Sequence, residues 1–168
     1  MKQTYTKRNG FTLMEIAIAA TILLLLAGMA VPAFSDSIED AEIASAQSQL
    51  ARVRTAVDFY SLQHREDFPG ESGGSWTAAV FENQLRLASD IDGNTAAVGT
   101  AGFPFGPYLT EEFPANPFNG LDTIALVAPG GSFAGPDDST GWVFFVDSGT
   151  FRVNSTEVDK HGDAVYDL

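Results

Sequence analysis

One apolar run near the start of the chain constrains the fold more than any other feature. It extends from Phe11 to Phe34, and Glu15 is its only ionisable side chain. At the helical rise per residue this run reaches about 36 Å, enough to cross a bilayer with some tilt. Basic side chains precede the run and acidic side chains follow it, so the positive-inside rule places Met1 in the cytoplasm. The sequence therefore predicts a membrane helix with an extracytoplasmic head.

Two simpler interpretations of the apolar run are a signal peptide and a static anchor. A secretory signal peptide has a basic region, an apolar core and small residues before its cleavage site, and a cut after Ala33 fits this pattern. An uncleaved anchor needs only the apolar length. Neither accounts for Glu15, because an acid near the centre of such a span costs roughly 2.5–3.5 kcal/mol on insertion scales. Its place near the helix start reduces this cost without removing it.

The residues around the start of the run carry a family resemblance. Residues 7–10 read KRNG, and residues 11–15 read FTLME before the aliphatic stretch. This pattern resembles the class III signal of type IV pilins and type II secretion pseudopilins, in which a glycine, a phenylalanine and a glutamate stand at fixed spacing. The resemblance covers residues 7–34, about one sixth of the chain.

The resemblance implies how the chain is processed and assembled. A prepilin peptidase would cut on the cytoplasmic side after Gly10 and N-methylate the new terminal residue, Phe11. The family's glutamate five residues after the cut matches Glu15, and its helix-kinking proline matches Pro32; both are implied to act in filament assembly. The implied partners are copies of the chain, minor pilins or pseudopilins, prepilin peptidase, an inner-membrane assembly platform with its ATPase, and membrane lipid before assembly. The implied location is the bacterial inner membrane, and then a periplasmic or cell-surface filament.

Glycine and proline divide the chain into a rod and a loop-rich head. Residues 33–68 contain neither, whereas 14 of 16 glycines and 7 of 8 prolines lie from Pro69 onward. Together with the resemblance, this predicts a cleaved leader at 1–10, a transmembrane and filament-core helix at 11–34, an amphipathic continuation at 35–67 and a globular head at 68–168.

The rod is expected to be one helix from Phe11 to about Glu66. Beyond the apolar run, apolar residues recur mainly at spacings of three and four: Ile43, Ala46, Leu50, Val53, Val57 and Tyr60. Pro32 removes an amide donor and Gly28 is flexible, so a bend or a melted turn is expected between them, and two separate helices are the alternative. The stripe indicates that one face of the helix packs on its own domain.

The segments of the head predict an α+β fold. Ser75 is expected to cap a short helix over Trp76–Leu87. Strand-like runs follow at 123–128, 141–146 and 150–154, with a hairpin turn between the last two. We expect a small antiparallel sheet of three or four strands packed on the long N-terminal helix, which is a pilin-like arrangement. The tail over 159–168 is expected to be mobile or a final edge.

A second stretch, residues 106–120, is similar to the segment that leads into the sheet of major pseudopilins. In that segment of the family a tyrosine–leucine pair precedes a proline-rich turn, as Tyr108-Leu109 does here. The family's usual tryptophan and following glycine-asparagine-proline are replaced by Phe118 and Asn119-Gly120, and such turn-forming dipeptides occur in any fold. The chain has no cysteine, which argues against the disulfide-bounded loop of many adhesive pilins and favours a pseudopilin or a minor pilin.

Charge and motifs exclude several other functions. The formal charge is −13, and it becomes −16 without the first ten residues, which hold three basic side chains and no acid. Such a surface repels phosphate, so nucleic-acid binding is not expected. No phosphate-loop, zincin or hydrolase motif occurs, so the chain is not expected to be an enzyme. His64, at the expected end of the rod, and His161, in the polar tail, are interpreted as solvated.

Adjacent acids in the head are candidate ligands for calcium. Asp137 and Asp138, with Asp122, offer the hard oxygen donors that calcium prefers. Their spacing is not that of an EF-hand, and adjacent acids are also common in solvated turns. The resemblance adds that major pseudopilins use acidic loop residues for calcium. No other cofactor is expected.

These observations favour a structural subunit of a type IV pilus-like or type II secretion pseudopilus filament, polymerised from the inner membrane. The alternative is a membrane-anchored extracytoplasmic binding module that does not polymerise, and a third interpretation is a soluble domain released after Ala33. Gly10, Phe11 and Glu15 distinguish the first from the others, because a static anchor needs none of them.

Overall fold

The structure is a computed structural model that describes the backbone of residues 10–168 and the side chains of residues 10–28 and 37–168. Residues 1–9 and the side chain of Pro32 lie outside the described residues, so the predictions made for them stay predictions. The chain divides into two units, Met1–Ile38 and Glu39–Leu168.

The longest element, α1, spans Leu13–Gln63. Its backbone is helical throughout in the described residues, which contradicts both the melted turn and the alternative of two separate helices. Within the described residues, 10–28 and 37–168, no helix is both long enough and apolar enough to span a membrane.

The part of α1 in the second unit is amphipathic, as its spacing predicts. Its buried side chains are Ala46, Leu50, Val53, Ala56, Val57 and Tyr60, whereas Ile43 is only half-buried. The positions between them are mostly exposed. Because this stripe joins the main hydrophobic core of the unit, the helix packs on its own domain.

Helix α1 ends three residues earlier than expected. The amide of His64 still donates to the carbonyl of Tyr60 at 3.0 Å, but Arg65 and Glu66 have φ values of 58° and 69°. Two consecutive left-handed residues turn the chain out of the helix axis.

A short hairpin separates α1 from the second helix. Its strands are β1, Glu71–Ser72, and β2, Ser75–Trp76, and the helix that follows, α2, spans Ala78–Arg86. Ser75 is therefore part of a strand and not the predicted cap. Thr77 caps the helix instead, because its hydroxyl accepts a hydrogen bond from the amide of Val80 at 3.2 Å.

The remaining strands form two small sheets. Strands β3, Ala88–Ser89, and β4, Thr95–Ala96, pair antiparallel. Strands β5, Ile124–Val127, β6, Trp142–Phe145, and β7, Thr150–Val153, form a three-stranded sheet in chain order. The predicted strands and the α+β class are thus confirmed.

The three-stranded sheet is mixed, whereas an antiparallel sheet was expected. Strand β6 pairs antiparallel with β7 but parallel with β5, with Ile124 opposite Trp142. Residues 128–141 form the crossover that a parallel pair requires. The expected hairpin turn between β6 and β7 is a 3₁₀ turn over Val146–Ser148, which ends at Gly149 with φ 64°.

Aromatic rings fill the core between the sheet and the helices. The Phe81 ring of α2 lies 4.6 Å from that of Phe144, measured between centroids, and the Trp142 ring lies 5.3 Å from that of Phe151. All four are fully buried. The indole N–H of Trp142 donates to the carbonyl of Pro114 at 2.8 Å, so the ring buries no unpaired donor.

The C-terminal tail is docked, which contradicts a mobile tail. Val165 is buried within a 3₁₀ turn over Val165–Asp167, and Val158 forms a bridge with Ala164. The Arg54 guanidinium of α1 donates to the carbonyls of Phe151 and Leu168, each at 2.9 Å. Neither partner is near Arg54 in the sequence, so composition alone did not reveal this contact.

Candidate processing and assembly site

The start of α1 is closed by a capping box. The Glu15 carboxylate accepts hydrogen bonds from the backbone N–H and from the hydroxyl of Thr12, both at 2.8 Å, and the amide of Glu15 donates back to the Thr12 hydroxyl at 3.2 Å. This reciprocal pattern satisfies two of the donors that a helix start leaves unpaired. The residues of the capping box stand in the sequence as Thr-x-x-Glu, a signal that the sequence analysis missed.

The capping box fixes where the helix begins, and it leaves Gly10 and Phe11 outside it. Both residues are exposed and belong to no helix or strand. The Phe11 side chain is 85% exposed. A protease can therefore reach the peptide bond between them without first unwinding a helical turn, since the hydrogen-bonded ladder begins downstream.

The first unit exposes a long apolar surface. Its large apolar side chains are all exposed between residues 11 and 28: Phe11, Leu13, Met14, Ile16, Ile18, Ile22, Leu23, Leu24, Leu25 and Leu26. Soluble monomeric proteins rarely expose contiguous apolar patches of this kind. The surface is therefore suited to lipid or to other protein chains.

The two adjacent acids of the head accept hydrogen bonds from the protein. Asp137 accepts from the hydroxyl and the amide of Ser139 and from the side chain of Asn154, and these bonds hold its pKa below the usual range. Asp138 accepts from the hydroxyl and the amide of Thr156, which lowers its pKa in the same way. Hydrogen bonds to the charged form are the cause in both cases.

The third candidate calcium ligand lies in a different environment. Asp122 lines a surface depression with Glu82, Arg86 and Glu112, and neither Asp137 nor Asp138 lines it. Among the residues the structure describes, no three His, Cys, Asp or Glu side chains come together as a metal site. The described donors thus do not form a calcium site as they stand, and the calcium assignment stays a prediction.

Two asparagines connect the proline-rich turn to the three-stranded sheet, and this network was not predicted from the sequence. The side-chain amide of Asn116 donates to the carbonyl of Gly141 at 2.7 Å, and that of Asn119 donates to the carbonyls of Thr140 and Asn154. Asn116 and Asn154 are both fully buried. The turn within residues 106–120 therefore positions β6 through side-chain amides.

The two histidines have different environments. His64 was expected to be solvated, but it is 1% exposed and its ring stacks on that of Tyr60 at a centroid distance of 3.8 Å. Its Nδ1 lies 2.8 Å from the Tyr60 carbonyl, which can only accept, and its Nε2 lies 3.0 Å from the Ser89 hydroxyl. The apolar spacing of α1 continues to position 64, and that continuation was the available signal. His161 is exposed, as expected.

Comparison with known proteins supports the family that these features suggest. Residues 5–31 match the family model described as the prokaryotic N-terminal methylation motif. The chain is 30% identical to type II secretion system core protein G of Escherichia coli over 136 residues, which cover 81% of this chain and 92% of that protein.

Two pilus proteins are also similar. Identity to the type IV major fimbrial protein FimA of Dichelobacter nodosus is 30% over 56% of this chain and 59% of that protein, so the chain spans about three fifths of FimA. Identity to the type IV narrow pilus major component of Thermus thermophilus is 28% over 57% of this chain and 90% of that protein. No solved structure matches. Because the match to protein G extends over most of both chains, this chain belongs to the family of type IV pilins and type II secretion pseudopilins.

Proposed function

We propose that the chain is a structural subunit of a type IV pilus-like or type II secretion pseudopilus filament. It is inserted in the inner membrane with its head outside the cytoplasm, cut after Gly10 by a prepilin peptidase and methylated on Phe11. An inner-membrane platform and its ATPase then move it into a filament with copies of itself and minor subunits. The observation that carries the proposal is the match of residues 5–31 to the methylation motif, on a helix whose apolar side chains are uncovered.

The geometry at the start of α1 supports processing at Gly10. A peptidase acts on an accessible backbone, and the peptide bond between Gly10 and Phe11 lies outside the helix. The capping box of Thr12 and Glu15 holds the helix start directly downstream of that bond.

The exposed apolar surface of the first unit supports both stages of the proposed pathway. Lipid covers this surface before assembly, and the apolar helices of neighbouring subunits cover it in the filament. Cleavage after Gly10 removes the basic leader and leaves the apolar run in place. The same run therefore serves first as an anchor and then as the filament core, to which Pro32 also belongs.

Glu15 is proposed to act in assembly as well as in capping. Cleavage creates a positive amine on Phe11, and methylation of that amine keeps its charge. A carboxylate surrounded by apolar helices is tolerated only when it is paired, so Glu15 of a docked subunit would attract the Phe11 amine of the incoming subunit and set its register. Assembly would then depend on the charge of Glu15, whereas helix capping depends only on its oxygen.

Two substitutions separate the charge from the cap. Glu15→Gln removes the charge but keeps an oxygen that accepts from Thr12, since glutamine also completes a capping box. Thr12→Val removes the capping hydroxyl but keeps the charge. We expect both variants to be cut after Gly10, as measured by intact mass, and we expect filaments from Thr12→Val but few or irregular filaments from Glu15→Gln, as observed by electron microscopy.

The outcomes distinguish the proposed pathway from its alternatives. Mature protein that begins at Phe34, or that still begins at Met1 in cells with an active prepilin peptidase, contradicts the processing. Ordered filaments in normal yield from Glu15→Gln as the sole subunit contradict the role of the charge. A chain that is cut and methylated but never polymerises supports the membrane-anchored binding module instead.

A further inference from the structure

The second unit contains a cavity of about 290 Å³ beside the end of α1. Four rings line it, from Tyr60, His64, Phe68 and Trp76. Its remaining lining includes Gln84 of α2 and the turn that contains Gly93. All of its lining residues belong to the second unit, and neither the proposed processing nor the proposed assembly uses them.

The hydroxyl of Tyr60 has no hydrogen-bond partner among the described residues, although Tyr60 is only 3% exposed. The nearby Gln84 does not serve as one, because its amide nitrogen already donates to the carbonyls of Glu71 and Gly93. Gly93 has no side chain to cover the hydroxyl, and a Cβ there would lie 2.8 Å from the hydroxyl oxygen. Tyr60 and Gly93 both line the cavity, so the hydroxyl lies at the cavity wall, where a ligand can form a hydrogen bond with it.

The charges around the cavity are mainly negative. Asp67, Glu71 and Asp92 line it, and Arg65 pairs with Asp92 at 3.0 Å. The Asp67 carboxylate has no hydrogen bond or ion pair among the described residues. Burial, then Tyr108 and the carboxylates of Asp67, Asp90 and Glu71, raise the pKa of Tyr60, so its hydroxyl stays protonated at neutral pH.

Aromatic faces and carboxylates together favour a cationic ligand. Cations bind over the faces of tryptophan and tyrosine, and carboxylates at the rim add a Coulombic attraction. The Tyr60 hydroxyl oxygen can accept a hydrogen bond from an N–H donor, which a primary ammonium has and a quaternary ammonium lacks. We propose that this cavity binds a primary alkylammonium group, with the Tyr60 hydroxyl as its hydrogen-bond acceptor, the Trp76 ring as its aromatic wall and Asp67 as its counter-charge.

The fluorescence of Trp76 offers a direct measurement. The chain has two tryptophans, and Trp142 is fully buried in the core away from the cavity. The full chain in a nonionic maltoside detergent is titrated with n-butylammonium chloride, with n-butanol as the neutral probe of similar shape and tetramethylammonium chloride as the cation without N–H donors. We expect the Trp76 fluorescence to change saturably with n-butylammonium and to show weaker binding of tetramethylammonium. With n-butanol we expect no saturable change in fluorescence.

Three variants test the residues named. Tyr60→Phe removes only the hydroxyl and should weaken n-butylammonium binding about fivefold, the scale of one hydrogen bond. Asp67→Asn should weaken it about two- to fivefold, as expected for a partly solvated charge pair. Asp58→Asn is the control, because Asp58 is an exposed acid of α1 that does not line the cavity. This variant should bind n-butylammonium like the unaltered chain.

The proposal is overturned by several results. If the fluorescence of the unaltered chain shows no saturable change with n-butylammonium, the proposed binding site does not exist. This measurement does not depend on the folding of any variant. Equal responses to n-butylammonium and n-butanol assign the cavity to apolar ligands. Unchanged affinity in Tyr60→Phe or Asp67→Asn, or an equal loss in Asp58→Asn, contradicts the assigned contacts. The ammonium group could belong to a lysine side chain of another protein or to a free amine, and competition with a lysine peptide distinguishes the two. A lysine side chain as ligand predicts that the peptide competes with n-butylammonium. Absence of competition indicates that only free amines bind.

Discussion

Two arginines that lie two positions apart in α1, Arg52 and Arg54, should contribute very differently to stability. Arg54 is half-buried and donates to two backbone carbonyls, those of Phe151 and Leu168, at 2.9 Å each. Arg52 forms an ion pair with Glu111, whose side chain is 76% exposed. The substitutions Arg54→Met and Arg52→Met remove the same charge and keep a similar aliphatic length, so they form a matched pair.

The expected magnitude follows from the two contacts of Arg54. A hydrogen bond from a charged donor contributes about 1.5–3 kcal/mol when buried, and partial exposure of Arg54 reduces the sum of two such bonds to about 2 kcal/mol. Arg52→Met should cost about 0.5 kcal/mol, as exposed ion pairs do. For a chain of this size, these losses correspond to Tm decreases of roughly 4–8 °C and 1–2 °C.

Thermal unfolding of the full chain in nonionic detergent, followed by near-ultraviolet circular dichroism, measures both losses. Hydrogen exchange of the tail over 159–168 provides a second measurement, because Arg54→Met should speed exchange there and Arg52→Met should not. Equal Tm decreases in the two variants, or unchanged exchange of the tail in Arg54→Met, would refute the inference that Arg54 holds the tail.

Three further predictions concern the head. Hydrogen bonds, first of all from the Asn94 side chain to Asp90 and from Thr156 to Asp138, lower the pKa of both carboxyl groups, so the folded state favours their charged forms. In an acid titration the free energy of unfolding should therefore be steady above about pH 5 and fall below about pH 4. Gly141→Ala places a Cβ 1.9 Å from the carbonyl oxygen of Leu121, and we expect it to lower the free energy of unfolding by about 1–3 kcal/mol in a thermal melt. If Asp137 and Asp138 bind calcium, millimolar calcium should raise the Tm of the full chain above that in chelator, and a double Asn variant should lose this rise; equal melts contradict the calcium site.

Local patterns were sufficient to predict much of the secondary structure. The apolar spacing of α1 and the three β-rich runs gave elements close to the observed bounds, because each depends on residues near in sequence. The pairing direction of β5 with β6 was not predictable in this way. Alternation of side chains within a strand does not encode which neighbour it pairs with or in which direction.

The errors at the end of α1 and at α2 have a common physical origin. His64 stands among charged residues, yet a contact with Ser89 of β3 helps to bury it. Ser75 is a good helix cap by residue type, but it pairs within a hairpin and Thr77 takes that role. In each case a contact between separate elements outweighed a local preference.

The capping box and the exposed residues before it could have been predicted from the sequence, because a Thr-x-x-Glu pattern is local. The cavity could not. Its rings and acids come from α1, the first hairpin, α2 and the turn at Gly93, and only the folded chain brings them together.

The central position of β6 has a consequence for the order of folding. Strand β6 pairs with β5 across the long crossover and with β7 across a short turn, so the three-stranded sheet is complete only when Val153 is present. Contacts between residues distant in sequence slow folding, because the intervening loop must close before they form. A head emerging residue by residue from a translocation channel would thus leave Ile124–Val127 without its pairing strand until Phe145 had arrived.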